Sequence, residues 1–289
     1  MDLQKRIERG LERAITFATA GGQPAKLGAA MRHAVFSGGA RVRPRLCLAV
    51  ALASGDRNPE AADAAAAGIE LLHCASLVHD DMPCFDDADT RRGRPSVHAA
   101  YGEPIALLTG DALIVLAFET IARECSKSPD RTAPLIATIA RAVGMPNGIV
   151  AGQAWESEPD IDLHHYHRAK TGALFTGATA AGAVAAGADP QNWLALGEAL
   201  GAAYQVADDL RDSAADMDEI GKPCGQDKTH QRPNAVAQLG LDGALTLLKE
   251  TVHRAADAIP DCRGSDMLRE LIMAEAKRLV PKKLAQSAA

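Results

Sequence analysis

Two groups of aspartates have the types and spacing for chemistry. The first runs Asp80-Asp81-Met82-Pro83-Cys84-Phe85-Asp86-Asp87-Ala88-Asp89, five carboxylates in ten residues. The second is Asp208-Asp209-Leu210-Arg211-Asp212, continuing to Asp216. Asp is a middling helix former and neighbouring like charges repel, so neither run serves a helix for its own sake. A hard cation supplies the missing reason. Magnesium takes oxygen ligands, keeps several waters, and is held by a few carboxylates together with substrate phosphates. Asp208 and Asp212 are four residues apart and leave one face of a helix together. Asp80 and Asp86 would lie about 240° apart around an ideal helix. They converge only if the helix is distorted or ends, and Pro83 favours that. A solvated acidic turn is the plain alternative, but a long apolar stretch, Ala64 to Val78, leads into the cluster. Arg91-Arg92 follows the first cluster, and the guanidinium fork matches phosphate oxygens. Taken alone, that pair reads equally well as local charge balance. Lys222 and Lys228 follow the second cluster in a Gly-bounded loop. The two clusters together point to metal ions held against a diphosphate.

The elements that must position them read as helices. Leu3, Ile7, Leu11, Ala14 and Ile15 form one stripe at helical spacing. Apolar, Ala-rich helical stretches follow over 42–53, 61–78, 107–122, 133–143, 169–186, 193–210, 244–259 and 267–279. Gly and Pro mark the breaks, at Gly21-Gly22, Gly38-Gly39, Gly93 to Pro95, Asp189-Pro190 and Pro260 among others. No period-2 strand emerges. One site needs both clusters, which sit in different helical segments. The expected fold is therefore all-α: a single domain over 1–289, a bundle of about ten or more helices with the clusters facing each other across a central cavity. The tail at about 281–289 is expected to be flexible.

Composition supports this and excludes other classes. Aromatics are 3% and alanine is abundant, which favours packed helices. A net charge of −6 is a poor basis for wrapping nucleic acid. The six cysteines form no CxxC pair and no zinc-finger spacing, so buried free thiols are expected. The first residues read as an amphipathic helix without an apolar signal core. No uncharged apolar run of membrane-spanning length with suitable flanks is present. A cytoplasmic protein without stable membrane insertion is the expectation.

At the two clusters the chain resembles the trans-isoprenyl diphosphate synthases, the polyprenyl synthetase family, over nearly its whole length. Asp80-Asp81-x4-Asp86 followed by Arg91-Arg92-Gly93 resembles the family's first aspartate-rich motif in its bacterial form. Asp208-Asp209-Leu210-Arg211-Asp212 resembles the second. Gly38-Gly39-Ala40-Arg41-Val42-Arg43-Pro44 is similar to the family's Gly-Gly-Lys-Arg-x-Arg-Pro element, and His73, Gln153, Lys170-Thr171-Gly172, Gln205 and Gly221-Lys222 also match. The resemblance implies an isoprenoid synthase fold, a homodimer, and about three magnesium ions.

It also implies roles. Asp80, Asp86 and Asp208, assisted by Asp81, Asp209 and Asp212, would bind magnesium on an allylic diphosphate. Arg91, Lys170 and Lys222 would contact that diphosphate. Arg43, His73 and Arg92 would bind isopentenyl diphosphate. Thr171 and Gln205 would lie near the developing allylic cation, where fixed dipoles stabilise charge. Ala40 departs from the pattern, standing where the family usually has Lys, and Glu156 falls in a stretch where the family often has Asp. The residues suggest no obvious protein base, and the resemblance points to the released diphosphate. His79 reads better as a packed histidine than as a catalytic one.

Chain length should follow side-chain size below the first cluster. Ala75 and Ser76 are both small. In the family a bulky aromatic there tends to stop growth at fifteen carbons, so a twenty-carbon product is expected. The segment 225–236 is similar to geranylgeranyl diphosphate synthases of carotenoid- and bacteriochlorophyll-making bacteria. Farnesyl diphosphate, with shorter primers also, is the expected allylic substrate. The alternatives are a farnesyl diphosphate synthase and a non-catalytic partner subunit of a prenyl synthase. A class I terpene cyclase would carry a different second motif.

Overall fold

The computed structural model describes residues 2–22, 24–56, 58–160, 162–214 and 234–279. Helices α1 (Leu3–Ala18), α2 (Ala25–Val35), α3 (Val42–Ala53) and α4 (Pro59–Asp80) come first. A hairpin of two-residue strands, β1 (Thr90–Arg91) and β2 (Arg94–Pro95), leads to α5 (Val97–Tyr101) and α6 (Glu103–Glu124). Then come α7 (Pro129–Val143), α8 (Ile149–Ala154), α9 (Leu163–His167), a π-turn (Arg168–Gly172) and α10 (Ala173–Ala186). Helices α11 (Leu194–Ala214), α12 (Ala235–Asp257) and α13 (Ser265–Leu279) complete the described chain. The tail 281–289 lies outside it.

Helix α10 is the axis of the bundle. It packs on α3, α4, α7 and α11, and Leu174 through Ala185 are almost all buried. Its Ala and Gly side chains let the neighbours approach closely. Phe175 and Leu174, both 1% exposed, add the bulk. Burying a side chain of that size contributes about 1.5–3 kcal/mol. Cys47, Cys74 and Cys125 are buried thiols, as the composition suggests, whereas Cys84 is exposed. Cys224 lies outside the described residues.

Three features depart from the sequence reading. The hairpin is the first. Arg92 and Gly93 both have positive φ, 54° and 73°, which is the two-residue turn that matches strand twist. With only two residues per strand there is no alternation to detect. The second is α2, whose stripe is weaker than that of α1. The third concerns hydropathy. Helices α4 and α6 are long and apolar enough by length and composition to cross a membrane. The α4 window is 78% buried in the bundle and its central Glu70 is paired; the α6 window is only 44% buried.

Buried ion clusters tie the first four helices together. Arg6 of α1 meets Asp56 at 3.2 Å, Asp63, and the Pro59 carbonyl at 2.9 Å. Arg41, left-handed at φ 50°, caps α3 and points inward. It donates to Glu70 at 2.8 Å, Glu8 at 2.9 Å and the Val35 carbonyl at 2.7 Å. Arg41 and Glu70 side chains are each 2% exposed. Removing one member of such a pair leaves a buried charge alone, at a cost of about 3–5 kcal/mol. Arg41→Met is therefore expected to lose that much in urea unfolding. Arg32→Ala, which removes an exposed pair with Glu12, should lose less than about 1 kcal/mol. Equal losses would mean that the Arg41 cluster does not hold the frame.

Candidate active site

Helix α4 ends at Asp80 and the chain turns back on itself. The Asp86 amide donates to the Asp80 carbonyl at 3.0 Å, and the Ala88 amide to that of Asp81 at 3.1 Å. The break brings Asp86 beside Asp80 at the mouth of a cavity of about 340 Å³. Asp208 and Asp212 of α11 line the same cavity, as do Arg43, His73, Arg91, Arg92, Lys170, Thr171 and Gln205.

The other aspartate of each pair turns away. Asp81 is 3% exposed and is clasped by Arg91, whose Nε lies 2.9 and 3.1 Å from its two oxygens. Burial raises the Asp81 carboxyl above its usual range even with Arg91 opposing. Asp209 is 4% exposed; it accepts from Gln205 at 3.0 Å and from the Ala235 amide at 2.7 Å, at the start of α12. Neither lines the cavity. Gln205 is thereby oriented, and its Oε1 accepts from the Thr171 hydroxyl at 2.8 Å.

Cations already sit on the cavity-facing carboxylates. Lys170 Nζ lies 3.4 Å from Asp80 Oδ1, and Arg91 is 4.0 Å from Asp80 Oδ2. Arg211 donates to Asp208 at 2.6 Å and stacks over Tyr204. The hairpin sends its two arginines to opposite ends: Arg91 to the Asp80–Asp81 corner, Arg92 to the Gly38 carbonyl. A side chain on Gly39 would run into the Arg92 guanidinium.

A second cationic corner forms there. Arg43 lies 3.4 Å from His73 Nε2 and over the rings of Phe175 and Tyr204, at 4.6 and 5.6 Å. Its Nε is buried with no hydrogen-bond partner among the described residues. Burial, with Arg43 and Arg92 close by, pushes His73 well below 6.5. His73 is thus neutral in the folded protein, while the unfolded chain takes up its proton near 6.5. The unfolded state then binds more protons below that value, so the contribution of His73 to stability is complete above 6.5 and lost as pH falls beneath it. The loss approaches about 1.4 kcal/mol per pH unit. Urea stability should fall between pH 6.5 and 5.5 more steeply in the parent chain than in His73→Gln. Parallel slopes would contradict this.

The chain-length positions separate. Ser76 lines the cavity, with Leu77 and Ile149. Ala75 is 1% exposed and belongs to the core behind it. Ala40 is exposed on the Gly38–Arg41 turn and lines a different cavity, with Arg45 and Met267. His79 packs on α6, near the Leu107 carbonyl at 3.3 Å, as a packed histidine should. Lys222 lies outside the described residues. Glu156, Tyr166 and Arg211 line or border the site without a role in the sequence reading; Arg211 stands inside the second motif, and only its charge could have drawn attention.

Among the described residues, no three His, Cys, Asp or Glu side chains form a ready-made metal cage. Four carboxylates on one cavity nevertheless fit magnesium, which takes much of its shell from water and substrate oxygens.

The polyprenyl synthetase family model matches residues 24–262. The chain belongs to the polyprenyl synthetase family. It is 52% identical over 285 residues to the geranylgeranyl diphosphate synthase of Cereibacter sphaeroides, covering 99% of both proteins. It is 48% identical over 280 residues to the geranylgeranyl diphosphate synthase of Rhodobacter capsulatus, covering 97% of each. In structure it resembles a geranyltransferase from Helicobacter pylori complexed with magnesium and isoprenyl diphosphate. That likeness has a TM-score of 0.78 at 28% identity, over 96% of this chain and 97% of that one. The largely helical polyprenyl synthetase fold places both aspartate motifs on one cavity, and the hairpin between α4 and α5 serves both of its cationic corners.

Proposed function

We propose that this chain condenses an allylic diphosphate with isopentenyl diphosphate to give geranylgeranyl diphosphate and diphosphate. Farnesyl diphosphate serves as the allylic primer, and shorter ones are also accepted. The observation that carries the reading is the division of cations in one cavity. Arg91 and Lys170 stand with the Asp80–Asp86 carboxylates, and Arg43, Arg92 and neutral His73 stand apart from them. One diphosphate is bound with metal and the other without.

Asp80 and Asp86 on one wall and Asp208 and Asp212 on the other would hold magnesium, about three ions with the substrate bound. Magnesium, when bound, neutralises the allylic diphosphate so that it can leave. Asp81 acts through Arg91, and Asp209 through Gln205. Arg91 and Lys170 turn from Asp80 to diphosphate oxygens, and Lys222 would join them there. As the C–O bond breaks, Thr171 and Gln205 face the developing allylic cation with their dipoles fixed by the bond between them. The isopentenyl double bond, anchored by Arg43, Arg92 and His73, attacks that carbon. The proton then lost goes to the departing diphosphate. Arg92, seated on the Gly38–Gly39 turn, takes the place of the lysine that Ala40 lacks.

The enzyme works as one cytoplasmic domain and as a homodimer, and its product supplies carotenoid-type synthesis. The dimer is supported by α6, whose outer stripe exposes Leu107, Leu108 and Val115 at 49, 50 and 68%. Light scattering after size exclusion should give twice the chain mass, and Val115→Glu should give monomers. A parent chain that runs as a monomer would refute this. Turnover by the purified single chain with magnesium tests the catalytic reading against that of an inactive partner subunit.

A further inference from the structure

We infer that Glu156 is a positioning residue that keeps Lys170 from closing onto Asp80, so that Asp80 stays available to a divalent cation. The inference rests on the prenyl-transfer reading of this cavity.

Lys170 sits in the π-turn between α9 and α10, an irregularity that often marks functional sites. Helix α8 packs against that turn backbone to backbone. At Gly152, even a methyl group would collide with the Lys170 amide. The chain then continues one turn to Glu156, whose side chain reaches Lys170. The carboxylate is fixed from two further sides: Tyr166 donates to its Oε1 at 2.6 Å and Gln153 to its Oε2 at 2.9 Å. Lys170 Nζ is 2.5 Å from Glu156 Oε1 and 3.4 Å from Asp80 Oδ1. Lys170, Glu156 and Asp80 side chains are all less than one-fifth exposed.

The unequal distances matter. A lysine with only Asp80 as partner would neutralise it and compete with the metal. With Glu156 as the nearer and better-held partner, the ammonium stays at the edge of the allylic subsite and touches Asp80 only through the longer, weaker contact. Charge-assisted hydrogen bonds are strong enough for removal of the Glu156 charge to redistribute Lys170. Among the described residues no carboxylate is hydrogen-bonded to Arg43 as Glu156 is to Lys170, so the isopentenyl side should not respond.

The test is a double-mutant cycle on Mn²⁺ binding in the presence of inorganic diphosphate, reading free Mn²⁺ by electron paramagnetic resonance. Glu156→Gln should weaken Mn²⁺ binding about tenfold, a shift of about 1.4 kcal/mol. In a Lys170→Met background the same substitution should change it by less than about twofold. Glu156→Asp, which keeps the charge, should restore binding to within about threefold of the parent. In kinetics, Glu156→Gln should raise KM for farnesyl diphosphate and leave KM for isopentenyl diphosphate unchanged; a merely structural role would move both. Should Glu156→Gln fail to fold, Tyr166→Phe removes one bond to the carboxylate and should weaken Mn²⁺ binding about threefold. An effect that persists without Lys170, or no effect of Glu156→Gln or Tyr166→Phe, overturns the inference. A parent chain that binds Mn²⁺–diphosphate as described but makes no prenyl product sinks the functional reading and leaves this one standing.

Discussion

Asp80→Ala and Asp208→Ala should each lower kcat by about 10²–10³-fold or more, with the fold intact. Losing one preorganised group that stabilises developing charge typically costs that much, and in the proposed mechanism each substitution would also remove a donor to the metal. The fold should survive because neither carboxylate holds the frame. Asp80 lines the cavity and Asp208 is 46% exposed, paired within its own helix to Arg211. The contrast is with Asp81 and Asp209, which are buried and hold Arg91, Gln205 and the start of α12. Asp209→Ala leaves the Ala235 amide unpaired and should lower urea stability by about 1–3 kcal/mol as well as activity. Steady-state assays beside circular dichroism check both statements. Asp80→Ala with more than a third of parental kcat would remove Asp80 from the chemistry.

The second large effect is on the product. Ser76 lies on the wall of α4 that faces the cavity, one turn before Asp80. A prenyl chain growing from a diphosphate held at Asp80 passes Ser76 first. Ser76→Tyr puts a ring across that path, so the main product should fall from twenty carbons to fifteen. Ala75 sits behind, in the packed core. Ala75→Tyr forces a ring into filled space and should cost about 1–3 kcal/mol of stability; it should shorten the product only as far as the elongated chain reaches that depth. Chromatography of dephosphorylated, labelled products from both variants reads this directly. An unchanged twenty-carbon product from Ser76→Tyr would show that the chain grows elsewhere.

Much of the site was legible because its residues conflict with local structure. Carboxylates at helical spacing need a cation, and Pro83 foretold the break that returns Asp86 to Asp80. The division of labour within each pair was not legible. Asp80 and Asp81 are adjacent and chemically identical, and only the direction in which α4 stops sends one to the cavity and the other to Arg91. The same holds for Arg91 and Arg92, separated by a hairpin whose strands are too short to show a period. Ala75 and Ser76 are both small, so sequence treats them alike; a helical step of about 100° puts one in the core and one on the wall. Glu156 stood out only as a departure from a family pattern, because its three partners come from α8, α9 and the π-turn. The helices themselves were readable wherever an apolar stripe was long. The shorter α2, α5, α8 and α9 owe their form to packing.

Prenyl transfer to a twenty-carbon product is read by incubating the purified chain with farnesyl diphosphate, labelled isopentenyl diphosphate and magnesium, then sizing the product. Geranylgeranyl diphosphate should be the main product, and none should form when magnesium is chelated. A main product of thirty carbons or more, or no elongation of farnesyl diphosphate, would contradict this.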